Sequence, residues 1–434
     1  MKIPNVPQFS EKEISAAISL AQDPKILETA IQYNNRYLHW EELRHHPLPA
    51  DAKSVWALMK LLRRTTGRQI TFAGWQFLYT LNDSCWQMLH HLDKTAAGNL
   101  SSVLDTIGHD RERYIVNSLM EEAIASSQLE GAATTRSVAK QMLRERRKPT
   151  NRDERMIVNN YLTMKKIREI EKDDLSPELL LSLHKMITNG TLEDPADEGR
   201  FRDNDEIRVV DGTGTILHTP PDSSKIPGLI DELCRFANNG NESFIHPVIK
   251  GIFLHFLVGY IHPFNDGNGR TARTVFYWYV LRHDYWLFEY MAISRAIKDT
   301  KGQYKKAYIY TESDENDLTY FIQYNLTVIE KTITEIRKYI GEQQAEQIKA
   351  LHSIEESEGL SYRQIDILKR IVKHPEKPLR IKEIEETYHV AYATARSDLI
   401  RLEELGYLKR RTLGKEYVFL FREFPKKSNN EELP

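Results

Sequence analysis

Residues 262–273 read HPFNDGNGRTAR, a histidine, an acid, an asparagine, two glycines and two arginines within twelve positions. Such a stretch can bury little, so its residue types point to chemistry. A helix N-terminus exposes unpaired backbone N–H groups and a partial positive charge, and a glycine loop entering it lets an anion approach the backbone closely. Gly267 and Gly269 fit that loop, and Asn268 between them adds side-chain donors. Arg270 and Arg273 follow three apart on one helical turn, where two guanidinium forks can grip more than one phosphate. Asp266 would repel an anion unless a cation intervened, so a hard metal such as Mg2+ bridging carboxylate and phosphate is the economical inference. His262, just upstream, suits a neutral base that takes a proton from an incoming hydroxyl. The set points to nucleotide-phosphate chemistry. Two other readings use the same residues. One is a capping loop whose charges pair among themselves. The other is a transition-metal site on His262 and Asp266, for which no third ligand at metal spacing lies nearby.

The loop needs two helices to hold it. HPVIKGIFLHFLVGYIHPF places Ile249, Phe253, Phe256 or Leu257, and Tyr260 on one helical face, and Pro263 ends that helix with His262 at its exit. RTARTVFYWYVLRHDYW restarts a helix rich in buried types. Upstream, RERYIVNSLMEEAIASSQLEG reads as a helix with Gly131 as its stop, and further helices are expected at NRDERMIVNNYLTMKKIREIE and SPELLLSLHKMI. EIRVVDGTGTILHTPPD changes the period to two short β-type runs around residues 211–214, the one clear strand pair expected in the first 340 residues.

The stretch resembles the signature of the Fic family, H-x-F-x-(D/E)-G-N-G-R-x-x-R, through His262, Phe264, Asp266, Gly267, Asn268, Gly269, Arg270 and Arg273. The resemblance spans roughly residues 110–340. It implies a mainly α fold, a Fic-type helical core with a β-hairpin flap, that transfers AMP from ATP to a Ser, Thr or Tyr hydroxyl of a protein target. By that resemblance His262 is the base, Asp266 holds Mg2+, and Gly267, Asn268, Gly269, Arg270 and Arg273 contact the phosphates. Phe264 anchors the loop. The hairpin around residues 207–218, with Ile207, Val209, Ile216 and Leu217, resembles the family's flap, which pins a target segment by main-chain pairing.

SSQLEG resembles the family's inhibitory motif, (S/T)-x-x-x-E-(G/N), through Ser126, Glu130 and Gly131. The resemblance pairs Glu130 with Arg273. A carboxylate in the guanidinium fork denies it to a γ-phosphate of the same charge, which implies a mostly silent enzyme. In relatives the same glutamate can instead position water for removing AMP, and the residues leave both outcomes open.

The chain has 434 residues, a hydrophobic share of 41% and a net charge of -2, the composition of an ordinary soluble protein of two or three domains. Cys85 and Cys234 show no metal spacing and offer no disulfide framework, which fits a reducing compartment. The N-terminus shows no apolar secretory segment, and GIFLHFLVGYI is too short to span a bilayer. A cytoplasmic protein that avoids membranes is expected. Residues 1–105 read as a helical N-terminal region in which Trp40, Trp56, Trp75 and Trp86 serve packing. Residues 106–345 follow as the Fic domain with its inhibitory helix, then a linker at 346–360. Residues 361–424 read as three short helices and a hairpin, the order of a winged helix-turn-helix, before a tail at 425–434. Between 360 and 427 there are 16 Lys+Arg against 10 Asp+Glu. Arg396 and Arg401 on the expected recognition helix, with Lys409, Arg410, Arg411 and Lys415 on the hairpin, suit phosphate contacts with DNA, while Asp398, Glu403 and Glu404 dilute them. A DNA-binding regulator with the Fic domain as sensor, and a protein-docking module, are both open. Relatives often form homodimers, although no interface is legible here.

Overall fold

In the computed structural model, residues 3–96, 111–238, 243–355, 359–373, 378–413 and 416–421 are described. The chain separates into two compact units, Met1–Leu100 with Ile115–Thr334 and Ser101–Tyr114 with Glu335–Pro434. The first unit opens with α1 (Glu11–Leu20), α2 (Pro24–Asn35), α3 (Trp40–Leu43) and α4 (Ala52–Thr66). Ser10 and Glu13 form a reciprocal capping box at the start of α1. A hairpin follows, β1 (Arg68–Phe72) and β2 (Trp75–Tyr79), paired from Arg68↔Tyr79 to Phe72↔Trp75. This second hairpin corrects the expectation of a single strand pair in the first 340 residues. Its turn takes positive φ at Ala73 and Gly74, and alanine is not a residue that advertises such a turn. Trp56 is fully buried as expected of a packing residue, whereas Trp86 is 49% exposed.

The helices that hold the loop come next: α5 (Asp83–Ala96), α6 (Arg111–Leu129), α7 (Arg136–Glu145), α8 (Arg152–Glu169) and α9 (Pro177–Thr188). Ser176 caps α9 through the Leu179 amide, with Pro177 in the first turn, and Asn151 caps α8. The flap is short, β3 (Val209–Val210) and β4 (Ile216–His218), with a bulge at Val209/Val210. Asp211 closes its turn by accepting from Thr213 N at 2.9 Å and Thr215 N at 3.0 Å. Ile207, expected in the flap, lies before the strand.

Then come α10 (Ile226–Asn238), α11 (Pro247–Ile261), α12 (Asn268–Arg282), α13 (Ile293–Asp299), α14 (Lys301–Ser313) and α15 (Thr319–Glu355). α11 and α12 are buried along nearly their whole length and form the centre of the unit. Buried charges tie α4 to the end of α14. Arg63 donates to Tyr320 Oη at 2.6 Å and pairs with Asp314 at 3.5 Å, and Lys60 meets Asp314 at 2.7 Å. The first 96 residues therefore share one unit with the core, and the expected boundary at 105/106 lies outside the described residues.

The expected linker at 346–360 begins inside α15, which continues to Glu355. Its polar residues carry no helix breaker before Gly359, so nothing stops the helix earlier. The second unit holds α16 (Tyr362–Lys373), β5 (Leu379–Arg380), α17 (Ile381–Tyr388), α18 (Tyr392–Glu404), β6 (Leu408–Leu413) and β7 (Glu416–Phe421). The strands form one antiparallel sheet in the order β5-β7-β6, so a short strand joins the expected three helices and hairpin. Ile367, Leu368, Ile384, Leu399, Leu402 and Phe419 centre its core. Residues 97–105, Lys415 and the tail at 425–434 lie outside the described residues.

Candidate active site

The end of α11 aims the candidate base. His262 is its C-cap, in the left-handed region at φ 50, with its amide on Val258 O. Its Nδ1 lies 3.1 Å from Gly259 O. A carbonyl can only accept, so Nδ1 carries the proton and Nε2 keeps its lone pair. Burial pushes the ring down to about 4, which leaves it neutral at pH 7. Gly259 must be glycine here, because a Cβ would come within 2.5 Å of Tyr308 Oη.

The turn after His262 is held from three sides. Arg202, buried, donates its backbone N–H to Pro263 O and its Nε to His262 O, both at 2.9 Å, and reaches Pro221 O beyond the flap. His184 stacks on Phe264 with ring centres 3.7 Å apart. Gly199 N donates to its Nδ1, so its Nε2–H donates to Asp266 O at 2.9 Å. Burial pushes His184 down to about 4. The Asn268 amide closes the loop on Phe264, accepting from Phe264 N at 3.0 Å and donating to Phe264 O at 2.7 Å. Its oxygen and one of its two N–H donors are thus used in closing the loop, which leaves at most one side-chain donor for an anion. His184 and Arg202 were not singled out from sequence, since they lie 82 and 60 positions from the atoms they hold.

Gly267 takes φ 83, and a Cβ there would press on Thr188 and His184. α12 starts at Asn268, so its first amides have no intrahelical acceptors. Arg270 is fully buried with Nη1 on Ile187 O at 3.1 Å, while its Nε and Nη2 have no hydrogen-bond partner. Asp266, half exposed, stands 3.8 Å from Arg270 and 3.5 Å from Arg152. Arg152 is a further residue that sequence reading passed over. Among the described residues no three His, Cys, Asp or Glu gather as a metal cluster. A divalent ion at Asp266 would have one protein carboxylate, with phosphate and water oxygens completing its shell.

Arg273 is engaged from the other side. Its Nε donates to Ser126 Oγ at 2.9 Å, and its Nη2 donates to Ser126 O at 3.1 Å and to Glu130 Oε1 at 2.9 Å. Gly131 follows at φ 99, the left-handed stop that lets α6 end there. A Cβ at Gly269 would overlap Glu130 Oε1.

A cavity of about 310 Å³ joins these parts, lined by Glu130, Val209, Leu217, His262, Gly269 and Arg273, with Lys301, Tyr304, Tyr308 and Glu312 on the α14 side. His218 lines it too, with Nδ1 2.6 Å from Glu312 and Nε2 2.7 Å from Tyr260 O. Of the expected site residues, Ser126, Gly131, Asp266, Gly267, Asn268 and Arg270 lie outside this lining, and so do Ile207 and Ile216, the latter 48% exposed. The outward residue of a two-residue ladder faces solvent by strand alternation.

Comparison with known proteins bears on the same residues. The Fic/DOC family matches residues 174–280. Proteins named protein adenylyltransferase Fic from Drosophila yakuba and Drosophila melanogaster are each 29% identical over 180 residues, 41% of this chain and 33% of the relative. The chain thus spans about a third of the length of the curated relatives it matches. A Fic family protein from Desulfovibrio desulfuricans G20 has a similar fold, with TM-score 0.53 at 18% identity over 80% of this chain and 99% of the other. Fic-1 from C. elegans aligns with TM-score 0.50 at 16% identity over 79% and 89%.

Proposed function

We propose, from the premise that this chain belongs to the Fic/DOC family through residues 174–280, that it is an autoinhibited protein adenylyltransferase. The observation that carries the reading is the pair of states at the two ends of the cavity: a neutral His262 with a free Nε2, and an Arg273 occupied by Ser126 and Glu130. A target hydroxyl brought to the flap gives its proton to His262 Nε2 as its oxygen attacks the α-phosphorus of ATP. The new O–P bond forms as the α–β bridge breaks, and pyrophosphate leaves. The open first turn of α12 and the unpartnered Nε and Nη2 of Arg270 suit the phosphates. Asp266 would hold Mg2+, which supplies charge neutralisation to the triphosphate when bound. Main-chain pairing at β3 would present the target, with Val209 and Leu217 facing the cavity. While Glu130 fills the fork of Arg273, a γ-phosphate cannot.

The protein is read as cytoplasmic. Both cysteines are free and buried, and burial pushes Cys85 up to about 11 and Cys234 up to about 12, which keeps them inert. Among the described residues no helix is long and apolar enough to cross a membrane.

The test uses α-labelled and γ-labelled ATP with Mg2+ on wild type, Glu130→Gly and Glu130→Gly/His262→Ala. Label should reach protein from the α position only, rise with the first change and vanish with the second. No transfer by any variant that binds nucleotide removes the reading. Loss of label from a modified target with wild type, and not with Glu130→Gly, would assign Glu130 to the removal of AMP.

A second reading, compatible with the first, is a winged helix that binds duplex DNA. The acids expected to dilute α18 are all engaged. Asp398 is buried and accepts from Arg363 and Gln364, Glu403 pairs with Arg410 at 3.5 Å, and Glu404 with Arg401 at 3.4 Å. Exposed Arg396, Lys409 and Arg411 meet no described acid, which leaves them for phosphates. Duplex binding by the full chain should weaken steeply with salt, and less steeply for Arg396→Ala. A salt slope that this substitution leaves unchanged counts against DNA and for a protein partner.

A further inference from the structure

Helix α6 carries one more acid on the face that meets Arg273. Glu122 stands four residues before Ser126 and eight before Glu130, so the three share one side of the helix. It is only 1% exposed. A carboxyl so buried is costly unless its oxygens are satisfied. Among the described residues it makes no ion pair within 4 Å. Its oxygens accept instead from Ser294 N at 2.8 Å and from the Ser294 hydroxyl, and meet Tyr277 Oη at 2.9 Å. Tyr277 Oη also accepts from Ile293 N at 3.0 Å and lies 2.7 Å from Met291 O. Burial pushes the Glu122 carboxyl above the usual carboxylate range.

The two ends of α6 are therefore held differently. Its last turn gives orphan carbonyls to cations, Ser126 O to Arg273 and Leu129 O to Lys301 at 3.0 Å, while Lys298 takes Gln128 Oε1 at 2.6 Å. Those contacts sit where a helix frays most easily. Glu122 sits in its interior, where a slip of one residue would move the helix about 1.5 Å along its axis and turn Glu130 away from the fork.

We propose that Glu122 is the positioning residue of the brake, fixing the register of α6 against α12 and the 291–294 segment so that Ser126 and Glu130 arrive together at Arg273. The inference rests on the reading of Glu130 as inhibitor. Glu122 lines no part of the cavity, and although its carboxyl also favours the charge of Arg273, its effect on transfer is assigned to the placing of Glu130.

The test measures α-label transfer by the full chain for Glu122→Ala, Glu122→Gln, Glu130→Gly and the double change Glu122→Ala/Glu130→Gly. Glu122→Ala should raise transfer about tenfold, the size of effect that losing hydrogen bonds of this class has on an equilibrium. Glu122→Gln should stay near wild type, because its amide oxygen still accepts from Ser294. The double change should equal Glu130→Gly alone, since a residue that works through another adds nothing once that other is gone. A folded Glu122→Ala no more active than wild type, beside an active Glu130→Gly, overturns the inference and leaves the inhibitor reading standing. A further rise in the double change also overturns it. A silent Glu130→Gly removes both. If Glu122→Ala does not fold, Ser294→Ala removes one partner and should raise transfer about threefold by the same reasoning. No rise there overturns the inference.

Discussion

Among the described residues His262 is one of five histidines that burial pushes down, with His39, His184, His255 and His283. His39 and His255 are pushed down to about 3, and His184 and His262 to about 4. In the unfolded chain each returns to about 6.5, so between that value and the folded one unfolding takes up protons. Stability from these groups is complete above pH 6.5 and is lost as pH falls toward their folded values. From pH 6.5 to 5 ordinary carboxylates do not yet titrate, so the histidines supply the downward slope there, opposed by buried Glu122 and Asp317, which burial pushes above the carboxylate range. The thermal transition should drop steadily from pH 6.5 to 5. Transfer by Glu130→Gly, measured below its melting temperature, should persist through that window, because His262 still holds a free Nε2. A transition unchanged across the window would mean that these rings are not buried neutral.

At the scale of elements, local punctuation made the catalytic loop legible. Pro263, Gly267 and the caps at Ser176 and Gly131 each act on their own backbone, so their meaning survives without tertiary knowledge. The pairing of Glu130 with Arg273, expected from the resemblance, also appears in the structure at 2.9 Å. The clamps on the loop were not legible. His184 and Arg202 are an ordinary helical histidine and loop arginine until the fold brings them to Asp266 O and His262 O. The part that Asn268 plays in closing the loop was hidden for a related reason: a side chain with donors and an acceptor looks free until its own loop takes one of each. The β1–β2 hairpin escaped because the first of its two turn residues is alanine and its tryptophan suits a helix equally well. α15 outran its expected end because polar composition alone does not stop a helix.

At the scale of the molecule, the N-terminal helices line no part of the cavity but support one of its walls from behind. One face of α14 lines that cavity with Tyr304, Tyr308 and Glu312. Its other face rests on the N-terminal region, where Tyr310 stacks on His39 at 3.6 Å and Lys306 meets Glu42 at 2.9 Å. Just past its end, Asp314 is buried between Lys60 and Arg63, and Tyr37 Oη donates to Asp317 at 2.8 Å. Arg63 is the hub, since it also donates to Leu38 O at 2.8 Å and lies 3.9 Å from the centre of the Tyr37 ring. Removing Arg63 leaves Asp314 to Lys60 alone and takes away the buried bonds to Tyr320 Oη and Leu38 O, a break in a buried charge network that costs about 3–5 kcal/mol. Arg63→Ala should therefore destabilise the first unit by about that amount in denaturant unfolding. Nucleotide affinity should fall with it, although Arg63 lines no part of the cavity, because α14 loses its support. Arg63→Met, which keeps most of the side-chain volume without the charge, should lose about as much stability as Arg63→Ala, which an effect of lost packing volume alone would not do. An Arg63→Met variant as stable as wild type would mean that Arg63 acts by filling space and not by charge.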